Sequence, residues 1–145
     1  MELKKITLVS NNIGYGPRPE PDEEVEQRLT INAAGRVWFT GYAFGQGFGK
    51  HTPARRSQLS LGKENAQKIL DMLDRYFTDD RIIYMATDVG DWKLTMTGAT
   101  GEKRTFTGPL CNDPILENVG ISAVTRRLIP IEGLFMFDGG YADNE

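Results

Sequence analysis

The chain has 145 residues, 39% apolar, 26% charged and 10% aromatic, with a formal net charge of −3. That length suits one domain with a core of its own, and the longest apolar run, Ile82 to Ala86, is far short of the ~20 residues that cross a bilayer. A single Cys excludes an intrachain disulfide and, with a single His, leaves too few ligands for a structural zinc site, so neither metal nor cofactor is expected.

From the start, Glu2 to Val9 predicts a strand with Ile6 and Leu8 on one face. Lys4 and Lys5 precede only four apolar-leaning residues, too few for the core of a secretory signal. With no Asn-x-Ser/Thr acceptor either, the expected compartment is the cytoplasm. Ser10 to Asp22 holds Pro17, Pro19 and Pro21, which forbid helix and central strand, so a loop is expected there. Glu20, Asp22, Glu23, Glu24 and Glu26 then crowd acids together.

Val25 to Asn32 places Val25, Leu29 and Ile31 inward, turns through Ala33-Ala34-Gly35 and returns as Arg36 to Tyr42, a hairpin. Residues 42–62 read as a long Gly-, aromatic- and base-rich loop. Lys63 to Phe77 spaces Ala66, Ile69, Leu70, Leu73 and Phe77 as one apolar helical stripe. Asp88-Val-Gly-Asp91 has no calcium-loop spacing and reads as a turn. A second hairpin runs from Trp92 to Thr97, with Trp92, Leu94 and Met96 on one face, and returns from Glu102 to Thr107. A second helix is predicted over Pro114 to Leu128, capped by Asp113, with Gly120 a potential break, and Leu134 to Phe137 as a last buried strand.

These elements predict an α+β domain: two antiparallel hairpins plus flanking strands in a mainly antiparallel sheet, packed on one side by two helices. The hairpins resemble each other, Leu29-Thr30-Ile31 against Leu94-Thr95-Met96 and Phe39-Thr40-Gly41 against Phe106-Thr107-Gly108. Duplication of a hairpin-plus-helix unit and convergent strand composition both account for this.

Charge is unevenly spread: −2 up to residue 34, +5 over 35–63, −4 over 64–91 and −2 to the end. The positive region coincides with the aromatic loop, and connections beyond ~12–15 residues usually work as lids, binding loops or disordered segments. The candidate partner- or anion-binding residues are therefore Arg36, Trp38, Tyr42, Phe44, Phe48, Lys50, His51, Arg55 and Arg56. Aromatics with Arg are typical interface anchors, so the favoured function is non-catalytic binding of a protein partner, inhibitor-like, with Glu20 to Glu26 a second surface for a basic one. The alternative is an anion or single-stranded nucleic acid, stacked on Tyr42, Phe44 and Phe48 with Lys50, Arg55 and Arg56 on phosphates. The overall acidity weighs against it. An enzyme would need a pair such as Cys111 with His51; no P-loop surrounds Gly49-Lys50, and Gly120-Ile-Ser122-Ala-Val124 lacks the last Gly of a nucleophile elbow. Equally, the loop aromatics could simply cover the core.

Asp91-Trp-Lys-Leu-Thr95, leading to Phe106-Thr-Gly108, and the ending Leu134-Phe-Met-Phe-Asp-Gly139 resemble parts of small bacterial proteins of unassigned function, over the last third of the chain. The resemblance implies no activity, ligand or catalytic residue.

Overall fold

A computed structural model describes residues 2–13, 18–47, 49–78 and 90–139. In chain order the strands are β1 (Leu3–Asn11), β2 (Glu24–Asn32), β3 (Arg36–Ala43) and β4 (Thr52–Ser60), then helix α1 (Lys63–Tyr76), β5 (Asp91–Gly98), β6 (Lys103–Pro109), β7 (Ile115–Leu116), β8 (Val119–Gly120) and helix α2 (Ile121–Leu128). The first six strands form one antiparallel sheet in the order β4-β3-β2-β1-β5-β6, and β7 pairs with β8 alone. The architecture is α+β with a mainly antiparallel sheet.

Period-two alternation fixes which face the helices cover. Leu8 lies between Leu29 and Leu94, which face Phe39 and Phe106 in turn, so one apolar row crosses five strands. The neighbouring row is Val37, Ile31, Ile6 and Met96. Against these rows α1 buries Ala66, Ile69, Leu70 and Leu73, the stripe its sequence encodes, and α2 buries Ile121 and Val124. Each fully buried aliphatic side chain stabilises the fold by about 1.5–3 kcal/mol. Phe77, just past α1, centres an aromatic cluster with Trp92, Phe106 and Phe137 at ring separations of 5.5, 5.3 and 5.4 Å.

The third row on that face is polar where β1 and β2 contribute Ser10 and Gln27, and these side chains hold the C-terminal segment. Ser10 Oγ donates to Met136 O (2.7 Å), Gln27 Nε2 donates to Gly133 O (2.8 Å), and Gln27 Oε1 accepts from Phe135 N (2.7 Å). Here the expected strand over Leu134 to Phe137 is corrected: the segment is buried but takes turns, because its backbone pairs with these side chains and Met136 has a left-handed φ of 50°.

Two further expectations change. Residues 52–60 are not loop but strand β4, an edge strand paired to β3 from Ala43–Thr52 to Arg36–Ser60. Helix α2 begins at Ile121 rather than Pro114, because Glu117 and Asn118 take φ values of 52° and 65° and turn β7 into β8. Gly120 is the residue before α2, and Asp113 caps it from a distance, accepting from Ser122 N (2.7 Å) and Ala123 N (3.3 Å). Burial pushes the Asp113 carboxyl up, against the lowering effect of those hydrogen bonds. Of the turn expected over Asp88-Val-Gly-Asp91, residues 88 and 89 lie outside the described residues, as does the run 82–86, and Asp91 opens β5.

The resemblance between the hairpins has a geometric answer. Strands β2 and β5 flank β1, point the same way and put Leu29 and Leu94 on the same face. Seen from that face, β3 lies beyond β2 on one side and β6 beyond β5 on the other. The arrangement is a mirror image, which no rotation reproduces with the apolar faces kept aligned. The likeness therefore reflects two hairpins meeting the same demands from β1, as convergent composition would.

Candidate functional site

The opposite face of the sheet carries no helix or other described segment paired with it. Its residues follow from the register: Lys5, Thr7 and Val9 on β1, Arg28 and Thr30 on β2, Arg36, Trp38, Thr40 and Tyr42 on β3, Arg56 and Gln58 on β4, Lys93 and Thr95 on β5, and Lys103 and Thr105 on β6. Four threonines, Thr30, Thr7, Thr95 and Thr105, continue the row of Trp38 across the sheet, and the Thr7 and Thr30 hydroxyls are 3.2 Å apart.

Six cations stand on this face, Lys5, Arg28, Arg36, Arg56, Lys93 and Lys103, all exposed. Among the described residues none of them forms an ion pair. The strands bring two carboxylates to the same face, Glu26 and Asp91, and both lie in an end row with Asn11 and Tyr42. Positive charge is thus gathered on one face of a chain whose net charge is −3.

Trp38 is 40% exposed, while the other tryptophan, Trp92, is 5% exposed in the core. The Gln58 side-chain carbonyl, in the amide orientation that satisfies both donors, accepts from Trp38 Nε1 (3.3 Å) and Arg36 Nη1 (3.1 Å), which ties the indole edge to β4. Beside the indole is a cleft of about 460 Å³ lined by Lys4, Lys5, Thr30, Asn32, Ala33, Ala34 and Trp38. The β2–β3 turn packs closely on the residue before α1: Gly35 has φ +99°, and a Cβ there would lie 2.6 Å from the Gly62 carbonyl carbon.

The nine residues singled out by sequence separate into groups. Arg36, Trp38, Tyr42 and Arg56 share the uncovered face. Lys50 is exposed in the turn before β4. Arg55 points to the covered side, where Nε and Nη2 donate to the two Glu24 oxygens (2.6 and 2.8 Å) and the guanidinium lies 5.0 Å from the Phe39 ring centre. Hydrogen bonding to Glu24 holds its pKa above the ordinary value. Phe44 is 1% exposed, with Arg18 over its ring and the His51 ring 5.8 Å away, so it is a buried packing residue and not an open stacking face. The His51 side chain is 9% exposed, with Nδ1 3.5 Å from Glu26 Oε1 and Nε2 buried without a partner among the described residues. Phe48 lies outside the described residues.

Two other sequence readings can be placed. Within the acidic stretch, Glu24 and Glu26 face Arg55 and His51, while Glu20, Asp22 and Glu23 are exposed. Cys111 follows β6 and His51 precedes β4, on opposite edges of the sheet. Five interstrand spacings separate those edges, ~24 Å along the sheet, so the two side chains form no catalytic pair.

Sequence reasoning missed Lys5, Arg28, Lys93 and Lys103. A signal for two of them was present, since Arg28 and Lys93 precede the matched Leu29-Thr30 and Leu94-Thr95, and both stand opposite Val9. Among the described residues no helix is long and apolar enough to cross a membrane. No family model matches the chain, and no curated protein matches it.

Proposed function

We propose that the chain is a cytoplasmic, non-catalytic binding protein that holds an anionic macromolecule against the uncovered face of its sheet. The observation that carries this reading is a set of six exposed cations, none ion-paired among the described residues, on the face of the sheet that also holds Trp38 and Tyr42, in an acidic molecule. Exposed charges of one sign on a common surface add their potentials, attract polyanions and speed encounter with them, whatever the net charge of the chain. Net acidity weighs against such a partner only when the charge is evenly spread, and here it is segregated. The single Cys, exposed at Cys111, fits a reducing compartment.

The test is retention on immobilised heparin at neutral pH and low salt, conditions under which a protein with a pI near 5.3 is itself anionic. The chain is expected to bind and to elute with salt, and the double variant Arg28→Glu, Arg56→Glu to flow through with its melting temperature kept. Flow-through of the unaltered chain would contradict the proposal.

A further inference from the structure

Resting on the reading above, the geometry points to single-stranded nucleic acid as the anionic partner, with one base stacked on Trp38 in the cleft beside it. Three features of the face select this class. First, Trp38 and Tyr42 lie on the same face of β3 four residues apart, ~13 Å at strand rise. Between them runs the row Arg56, Thr40, Arg28, Val9 and Lys93. Aromatic platforms on either side of a line of cations are the arrangement in which bases stack and the backbone between them meets positive charge.

Second, the face has little to offer a protein partner. Protein interfaces are anchored by a desolvated apolar centre, whereas the only exposed large hydrophobic residue described on this face is Trp38, set among threonines and cations. The other two, Ile115 and Val119, belong to the β7–β8 ribbon. Third, the surface is a sheet face and not a protruding helix or ribbon, so it has nothing shaped to enter a duplex groove. Splayed bases of a single strand can lie flat on it.

The cleft gives the stacked base a setting. Its volume of about 460 Å³ falls within the range of small-ligand sites. Trp38 supplies the π face, Thr30 and Asn32 supply hydrogen-bonding groups, and Lys4 and Lys5 supply ammonium groups for the adjoining phosphate.

Titration of a short, fluorescein-labelled oligo-deoxythymidine strand with the full chain, read by fluorescence anisotropy for every variant and by intrinsic tryptophan fluorescence for the unaltered chain, tests this. Because Trp92 is buried, quenching on binding reports Trp38. Binding with quenching is expected, with affinity lowered roughly tenfold or more by Trp38→Ala and largely restored in Trp38→Phe, since stacking needs a ring but not an indole. A duplex of the same length should bind more weakly. Heparin or polyglutamate binding as tightly as the oligonucleotide, or a Trp38→Ala variant that binds the strand normally while melting normally, would overturn the stacking assignment and leave the anion-binding face standing. If no polyanion binds, both readings fail together.

Discussion

The two faces of the sheet treat positive charge in opposite ways. On the covered side each described arginine that reaches inward meets a carboxylate: Arg55 meets Glu24, Arg104 meets Asp74 at 2.9 Å, and Arg126 meets Asp138. On the uncovered side, Arg28, Arg36 and Arg56 meet none among the described residues. Desolvating a charge without a partner is prohibitive, so the covered face had to pair its cations or do without them. Exposed cations carry no such demand, and their accumulation is not explained by stability. A surface that needs no cations for folding and holds six of them is the part of this molecule most simply explained by a ligand.

The sharpest way to break the comparison is from the covered side. Arg126 donates to Leu134 O and Phe135 O at 2.8 Å as well as to Asp138, whose side chain is 6% exposed. Arg126→Ala should therefore destabilise the chain by about 3–5 kcal/mol in chemical denaturation, the range for removing one partner of a buried pair. A loss below about 1 kcal/mol would mean the covered cations do not need their partners, erasing the contrast. Next, Phe44→Ala should lose about 3 kcal/mol, because the ring is buried and its removal leaves a cavity. If the melting temperature holds and only binding falls, Phe44 belongs to the site and not to the core.

Smaller effects sharpen the other side. Arg28→Glu with Arg56→Glu should change stability by no more than about 0.5 kcal/mol, as for exposed positions generally. A large loss would show that these cations have a structural role. The smallest effect concerns pH. Burial makes the folded chain hold the Asp113 proton to higher pH than the unfolded chain, so the stability this contributes is complete below the unfolded value, near 3.8, and is lost as pH rises through the raised folded value. Asp113→Asn does not titrate there. Its stability relative to the unaltered chain should accordingly rise as pH climbs from below 3.8 through that window, and a difference that stays constant with pH would remove Asp113 as the source.

Much of the fold is legible in sequence because burial on one face writes a period into the chain. Leu29 and Ile31, Trp92, Leu94 and Met96, and the α1 stripe all face inward as their spacing implies. Strand β4 is illegible for the same reason in reverse. Thr52 to Ser60 is an edge strand with little buried on either face, Pro53 sits near its start, and its place comes from backbone pairing with β3. The β7–β8 ribbon replaces a helical turn because Glu117 and Asn118 adopt left-handed backbone, a choice that Asn hints at but does not dictate.

The candidate site was half legible. Along the chain the natural unit is the base-rich region 35–63, and it takes in Arg36, Trp38, Tyr42 and Arg56 because these alternate along β3 and β4. What the loop reading could not contain was the contribution of β1, β5 and β6, since the insertion of β1 between β2 and β5 follows from sheet order and not from sequence neighbourhood. Overall acidity argued against a polyanion for a related reason: an average over the chain conceals a division between faces.

The salt dependence of oligo-deoxythymidine affinity tests the central claim most directly. If Arg28, Arg56 and Lys93 each meet one phosphate, log affinity should fall linearly with log salt at a slope of about −2, at ~0.7 per phosphate for a single strand. The Arg28→Glu, Arg56→Glu variant should show a much shallower slope and weaker binding at low salt. An affinity unchanged by salt, or the same slope in both proteins, would contradict the assignment of this face as the binding surface.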